Sequence, residues 1–320
     1  MYKIFITGGC GFIGSHLVEK VFNEFKNAKI IVYDKITYAG DVRNLKNIQK
    51  SKRVKIIKND LIDIKSLEKN IKGSDLVIHA AAESHVDNSF NLSDQFIISN
   101  ILGTKYILDC CKKFNIKKII HISTDEVYGE IFKSSFKENS PFNPSNPYSA
   151  SKAAAEMVIN GYTHSYKLPT IIVRSNNIFG TRQHPEKLIA GCCWSVIKKK
   201  KFLLHGRGLQ KRSFLFVDDF CNGIIKIIKK GKDNEVYNIG SNFEYKNIEI
   251  AKLITKKMGA SFDKNVGYTK DRLFNDFRYS VDFNKIMKLG WKPKVRVEDE
   301  IENIIEWYKD NIERYPKRFD

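Results

Sequence analysis

Short apolar runs separated by longer amphipathic stretches set the rhythm of the first half of this chain. Residues 2–7 (YKIFIT), 29–34 (KIIVYD), 54–58 (VKIIK), 75–80 (DLVIHA), 117–123 (KKIIHIS) and 170–174 (TIIVR) have the near-continuous hydrophobicity of strands covered on both faces. Residues 12–24, about 92–113 and 147–166 carry helical spacing between them. Strands alternating with helices predict an α/β protein with a doubly wound parallel sheet. The second half is less regular. Helices are expected over 185–199, 247–258, 282–289 and 298–313, the last with Ile301, Ile304, Ile305 and Tyr308 on one face. Leu215–Val217 and Val236–Ile239 read as strands returning to the main sheet. The expected organisation is an N-terminal domain over 1–175, with returning segments at about 214–240, and a smaller C-terminal domain over 176–320. No stretch rich in Pro, Gly or Ser separates them.

Composition narrows the class. The chain has 320 residues, of which 42% are hydrophobic, so a large core is available and bulk disorder is excluded. No apolar run is long enough to span a bilayer. The N-terminus moves from a short apolar run straight into glycines, unlike a secretory signal, so a cytoplasmic location and no membrane partner are expected. None of the six cysteines forms a CxxC pair, and buried thiols rather than a metal site are expected. The formal charge of +19 raises the question of nucleic acid. Yet the lysines are scattered, no aromatic residues alternate with them, and no zinc-finger spacing is present. A solvated basic surface that attracts an anionic small molecule is the expectation, with no specific nucleic-acid partner.

Three glycines follow the first strand: Gly8, Gly11 and Gly14. They permit a tight turn and close approach of a pyrophosphate to the N-terminus of the helix that begins near Phe12. Strand, loop, helix and second strand occur in the order a dinucleotide site of Rossmann type requires. Asp34 ends the second strand, twenty positions after Gly14, where a carboxylate accepts from ribose hydroxyls and repels a 2′-phosphate. NAD is thus favoured over NADP, although the neighbouring Lys35 is a cation that would tolerate a phosphate. Asp60, after the third strand, either faces the adenine or caps a turn; its position leaves both open.

Tyr148 and Lys152 stand four apart on a predicted helix and share a face. A nearby ammonium and a positive nicotinamide ring are expected to favour the phenolate and make Tyr148 a usable base. Among the 14 tyrosines, Tyr148 alone has lysine at the fourth position after it. Asn146 and Pro147 suit the start of that helix. Ser123, Thr124, Asp125 and Glu126 end the strand KKIIHIS, on the side where open parallel sheets bind ligands. They are either a capped loop with two solvated carboxylates or an acid and a base beside Tyr148.

The segments TGGCGFIGSHL, HAAAESHVDNS, STDEVYGE, NPYSASKAAAE, RSNNIFG and PEKLI together resemble the nucleoside-diphosphate-glucose 4,6-dehydratases, within the extended short-chain dehydrogenases, from about residue 2 to 308. Related 4-epimerases and decarboxylases share the glycines and the Tyr/Lys pair but generally lack the Thr124-Asp125-Glu126 triplet; they are the alternative, beside an NAD-binding protein without catalysis. The resemblance implies that Tyr148, with Lys152, takes the proton of the sugar 4-hydroxyl while Thr124 orients it. Glu126 then takes the C5 proton and Asp125 protonates the departing 6-hydroxyl. Phe12, Ile13, Thr37, Leu61, Ala80, Ala82, Ser99 and Asn177 are implied to line NAD, with Gly8, Gly11, Gly14, Asp34, Lys35 and Asp60. Ser84, Asn176, Lys187, Leu188, Ile189, Arg212, Asn247 and Arg272 are implied to hold the nucleotide sugar. The run Phe274-Asn275-Asp276, followed by Arg278-Tyr279 and Leu289-Gly290-Trp291, is closer to the UDP-glucose dehydratase domains of plant-type rhamnose synthases than to bacterial dTDP-glucose enzymes. UDP-glucose is therefore slightly preferred to dTDP-glucose. A homodimer paired through the helices near 92–113 and 147–166 is also implied, and the product would feed rhamnose or another deoxysugar.

Overall fold

The computed structural model describes residues 2–316. Twelve strands are present among them: β1 (Lys3–Thr7), β2 (Lys29–Asp34), β3 (Val54–Lys58), β4 (Leu76–His79), β5 (Lys118–Thr124), β6 (Thr170–Ser175), β7 (Asn177–Phe179), β8 (Phe202–His205), β9 (Lys211–Phe216), β10 (Glu235–Ile239), β11 (Glu244–Lys246) and β12 (Val266–Thr269). Seven form one parallel sheet in the order β10-β6-β5-β4-β1-β2-β3. The winding reverses direction between β1 and β4, which opens a crevice beyond their carboxyl ends.

Alternation along each strand feeds two cores. Ile4 and Ile6 point into one, with Val18, Val21, Ile224 and Phe220 from the helices Phe12–Glu24 and Val217–Lys230. Phe5 points into the other, with Val77, Ile119, Ile172 and Leu108. Each such fully buried side chain contributes about 1.5–3 kcal/mol of transfer free energy. A third core gathers Ile301, Ile304, Ile305 and Tyr308, the face expected of the last helix, against Ile189, Cys193 and Ile254. Met1 and residues 317–320, the outer ends of the two expected domains, lie outside the described residues.

Several elements differ from expectation. The helices Ile64–Ile71 and Val217–Lys230 were not legible. The stretch 92–113 is not one α-helix: Ser93–Phe96 leads into a π-helical turn, Ile97–Leu102, and then Gly103–Lys113. The expected helices at 185–199 and 282–289 shorten to Leu188–Ile197 and Asn284–Met287. Val236–Ile239 does return to the main sheet, as β10 beside β6. Leu215–Val217 does not. Residues 211–216 form β9 of a three-stranded sheet, between β7 and β11, and Val217 already belongs to a helix. Lys211 pairs there with Glu244 of β11 at 3.4 Å, and Arg212 lines a pocket beside the small sheet. Among the described residues all six cysteines are free and buried, and no helix is long and apolar enough to cross a membrane.

One buried ion pair ties the sheet to the helix Pro147–Tyr166. Arg174, in the otherwise apolar strand β6, meets Glu156 at 2.6 Å, with side chains 4% and 0% exposed. Glu156 also accepts from Ser123 Oγ at 2.6 Å, and Arg174 donates to Tyr128 Oη at 2.6 Å and the Glu138 carbonyl at 3.1 Å. Tyr128 in turn donates to Asn238 on β10 at 2.9 Å. Removing one partner leaves the other charge buried alone, at a cost of about 3–5 kcal/mol, while replacing both with apolar groups costs far less. Arg174→Met is therefore expected to lower unfolding free energy by about 3–5 kcal/mol, and Arg174→Met with Glu156→Met to recover most of it, measured by urea unfolding.

Candidate active site

The cleft begins where β1 ends. Gly8 has φ +67, and a Cβ there would lie 2.7 Å from the Ala81 backbone. A Cβ on Gly14 would lie 2.0 Å from the Gly8 carbonyl oxygen. Beta-carbon-free backbone thus packs on itself, and the helix N-cap at Gly11 opens into the crevice with its first amides exposed. Asp34 steadies this turn: its carboxylate accepts from Cys10 N at 2.8 Å and Ile36 N at 2.7 Å. Burial raises its pKa, and those two amides oppose the rise. Lys35 is paired with Asp60 at 2.7 Å, so the cation beside Asp34 is already neutralised. Asp60 also accepts from Ile62 N at 3.3 Å and so helps cap a turn; the helix cap proper is Asp63.

On the far side, Thr7 Oγ1 accepts from the amides of Ala80 and Ala81, both at 3.1 Å, and fixes the exit of β4. Asn100, buried in the π-helical turn, accepts from Glu83 N at 2.8 Å and donates to Ser151 at 2.8 Å. One amide side chain thereby joins the loop after β4 to the helix that carries Tyr148. That helix starts as expected, with Asn146 as N-cap in a reciprocal capping box with Ser149 and a proline in the first turn.

The structure brings Tyr148, Lys152, Thr124, Asp125 and Glu126 into one cleft with Gly8, Gly11, Phe12, Ile13, Gly14, Asp34, Lys35, Thr37, Asp60, Leu61, Ala80, Ala82, Ser84, Ser99, Asn176 and Asn177. A second cleft is lined by Leu188, Ile189, Arg212, Asn247, Arg272 and Phe274, and the two share Glu126, Asn177, Glu186 and Lys187. The two clefts therefore adjoin, with Ile178 and Gln183 also common to both. Lys187 donates to the Ser84 carbonyl at 2.7 Å. Arg212 is tied by its guanidinium to the carbonyls of Lys211 at 2.8 Å and Asp276 at 2.8 Å, across the 271–276 loop. Arg272 crosses the second cleft to pair with Asp87 at 2.6 Å. Among the described residues, no cluster of His, Cys, Asp or Glu is arranged to hold a metal ion.

Asp125 is shut away from water, whereas Glu126 is only partly buried and faces both clefts. Thr124 caps the 3₁₀ turn Asp125–Tyr128 by accepting from Glu126 N at 3.2 Å, and the turn lies at the end of β5. Asp125 is 3% exposed. Its carboxyl is pushed up to about 7, chiefly by burial, against a 2.7 Å hydrogen bond from Asn176. Glu126 is also raised by burial, but Lys187 and Arg212 hold it back, and Asn146 donates to it at 3.4 Å. Neighbouring carboxyls with different surroundings make a proton donor and a proton acceptor of one short turn.

In the protein alone Tyr148 is raised above the ordinary phenol range, by burial and then by Glu126, with Thr124 opposing. Lys152 donates to the Ile122 carbonyl at 2.8 Å and lies 3.4 Å from His121, and burial lowers it to about 8. In the protein alone the phenol form is favoured, first by burial.

Sequence reasoning missed Asn100, Glu156, Arg174, Asp87, Glu186 and Asp276. Arg174 left a signal, a charge inside an apolar strand. Asp276, which accepts from Ser145 at 2.5 Å, stood in a run the sequence singled out, but without a role of its own. Glu186, lining both clefts, is opposed by burial yet held down to about 2 by His184, Lys187 and His85.

The parallel sheet, the self-packed glycine turn and the Tyr148/Lys152 pair define an extended short-chain dehydrogenase. A family model described as GDP-mannose 4,6 dehydratase matches residues 5–304, and the chain belongs to that family. A dTDP-D-glucose 4,6-dehydratase of Dictyostelium discoideum is 39% identical, over 97% of this chain and 82% of that protein. The trifunctional UDP-glucose 4,6-dehydratase/UDP-4-keto-6-deoxy-D-glucose 3,5-epimerase/UDP-4-keto-L-rhamnose-reductase RHM3 of Arabidopsis thaliana is also 39% identical, over 97% of this chain but 48% of its own length. The crystal structure of DesIV, a dTDP-glucose 4,6-dehydratase from Streptomyces venezuelae solved with NAD bound, superposes with a TM-score of 0.95 at 35% identity, covering 98% and 99% of the two chains.

Because the folded-state pKa of Asp125 is raised, its contribution to stability is fully present below about pH 4 and is lost as pH rises through about 7. Asp125→Asn, which cannot ionise, is expected to gain on the order of 2 kcal/mol over the wild type at pH 8 and little at pH 4, measured by denaturant unfolding at both.

Proposed function

We propose that this protein is an NAD-dependent nucleoside-diphosphate-glucose 4,6-dehydratase, a hydro-lyase that converts UDP-glucose or dTDP-glucose to the 4-keto-6-deoxy sugar nucleotide. The observation that carries the reading is the Thr124-Asp125-Glu126 turn packed beside Tyr148. The glycine turn fits a pyrophosphate because a side chain at Gly8 or Gly14 would close it. Asp34, with Lys35 already paired, suits the free ribose hydroxyls of NAD rather than a 2′-phosphate. When bound, NAD removes a hydride from sugar C4 and returns it to C6, so no net oxidation occurs.

The protein's own residues do the rest. Tyr148 accepts the proton of the 4-hydroxyl, with Thr124 holding that hydroxyl. Burial and Glu126 oppose the phenolate, so the charge of Lys152 and of the oxidised cofactor must offset them. Once C4 is a ketone, the C5 proton is acidic, and Glu126 takes it. Asp125 donates to the 6-hydroxyl, the C6–O bond breaks and water leaves. Glu126 then returns its proton to C5. Arg212, Lys187 and Arg272 provide cations along the second cleft for the diphosphate, and Asn247, Leu188 and Ile189 border the base. Uracil and thymine differ by one methyl, worth about 1–3 kcal/mol in a pocket, and the equal identity to dTDP- and UDP-glucose enzymes favours acceptance of both. Free, buried thiols suit a cytoplasmic setting. The product suits deoxysugar synthesis such as that of rhamnose.

The same reading includes a homodimer. Ile97, Ile98, Leu102, Met157 and Tyr166 are exposed on neighbouring helices, an apolar area suited to a partner copy. Ile98→Lys with Met157→Lys is expected to yield a monomer by sedimentation.

Mass spectrometry of reactions with UDP-glucose and with dTDP-glucose, each with NAD, tests the reaction. Loss of one water without accumulated NADH is expected; an unchanged mass would return the chain to epimerase chemistry. Asp125→Asn with Glu126→Gln is expected to reduce bound NAD in the presence of substrate yet release little keto-deoxy product. The wild-type dehydration rate is expected to fall as pH rises through about 7, where Asp125 loses the proton it must donate.

A further inference from the structure

Counting protons over the cycle leaves one transfer unassigned. Tyr148 gains the proton of the 4-hydroxyl. Asp125 gives a proton to the leaving 6-hydroxyl. Glu126 takes a proton from C5 and returns one there, and the hydride that leaves C4 arrives at C6. At the end of each turnover Tyr148 holds one proton too many and Asp125 one too few. A proton must pass from the phenol to the carboxylate before the next sugar reacts. Both groups are buried, so direct exchange of each with bulk water is hindered.

We propose that the Thr124 hydroxyl carries this proton, accepting it from Tyr148 while handing its own to Asp125, and that Asn176 determines which oxygen of Asp125 receives it. The inference rests on the dehydratase reading. Thr124 and Tyr148 line the same cleft, and the threonine hydroxyl opposes the rise of the phenol's pKa. Its Oγ1 also lies 3.4 Å from Asp125 Oδ1. One lone pair of that oxygen accepts from Glu126 N at 3.2 Å, which leaves the other lone pair and the rotatable proton for Tyr148 and Asp125. The O–H bond of Tyr148 breaks, an O–H bond forms at Thr124, the former Thr124 proton moves to Asp125 Oδ1, and no other reactant is needed.

The other oxygen of Asp125 is occupied. Asn176 Nδ2 donates to Oδ2 at 2.7 Å. The amide cannot turn over, because its own oxygen accepts from Ser241 N at 3.0 Å and is enclosed so closely that a Cβ on Gly240 would lie 2.3 Å away. A carboxyl oxygen that accepts a fixed N–H is the poorer site for a proton, so the returning proton settles on Oδ1, beside Thr124. Asn176 is thus a positioning residue acting through Asp125, in addition to any contact it makes with the sugar.

Rapid-quench kinetics of the NAD-loaded enzyme with dTDP-glucose test the relay. Thr124→Val keeps the shape and removes the hydroxyl. It is expected to show a burst of about one product per site, followed by steady-state turnover at least tenfold slower, and Thr124→Ser to restore wild-type progress. If Thr124→Val slowed the first and later turnovers equally, the hydroxyl would only orient substrate and the relay would be wrong. Asn176→Ala is a separate check. A kcat down about tenfold and an alkaline limb moved to higher pH are expected, because a donor favouring the carboxylate is gone. A raised KM with kcat and limb unchanged would remove Asn176 from the relay. Failure of the wild type to release water would sink the dehydratase reading itself, and that is seen before any variant is made.

Discussion

Everything at the catalytic turn hangs on a charge that has no water around it. The Glu156–Arg174 pair sits between the helix of Tyr148 and the strand that leads to Asn176, and each member reaches further. Through Ser123 it grips the residue before Thr124, and through Tyr128 the far end of the Asp125–Tyr128 turn. Both ends of the acidic turn are therefore held by one interaction, with Lys152 a single helical turn from Glu156. An apolar contact in that place would stabilise the fold about as well, but it would not fix direction. Hydrogen-bonded charges define angles, and the chemistry proposed here depends on angles between four small groups.

The site is electrostatically costly by construction. Asp125, Glu126 and Tyr148 are all pushed toward their neutral forms by burial. What separates them is the company each keeps: an amide for Asp125, two cations for Glu126, a hydroxyl and a carboxylate for Tyr148. The protein alone thus favours a proton on Tyr148 and keeps one on Asp125 up to about pH 7.

Much of this was legible along the chain because it is written locally. The Gly8–Gly14 spacing, the Asn146-Pro147 helix start and the Tyr148/Lys152 step each depend on residues within a turn or two of one another. The buried face of the last helix was visible for the same reason. Other features depend on distance. The Ile64–Ile71 helix buries only Leu67 and Ile71 and is otherwise polar, so its hydrophobic period is too brief to stand out. The apolar end of strand β9 suggested the main sheet, yet it pairs with β7 and β11 beside a pocket that no local pattern reveals. The rise of the Tyr148 pKa in the protein alone comes first from burial, which spacing along the chain does not display.

The glycine turn has a consequence for how such a site changes over generations. Its cradle is made of main chain resting on main chain, with Gly14 against the Gly8 carbonyl and Gly8 against Ala81. Substitutions elsewhere on its surface leave that shape alone, while a single added methyl at either glycine dismantles it. Cofactor recognition is therefore encoded here by atoms that are missing. It can persist while nearly every side chain around it drifts, and it is lost in one step rather than by degrees.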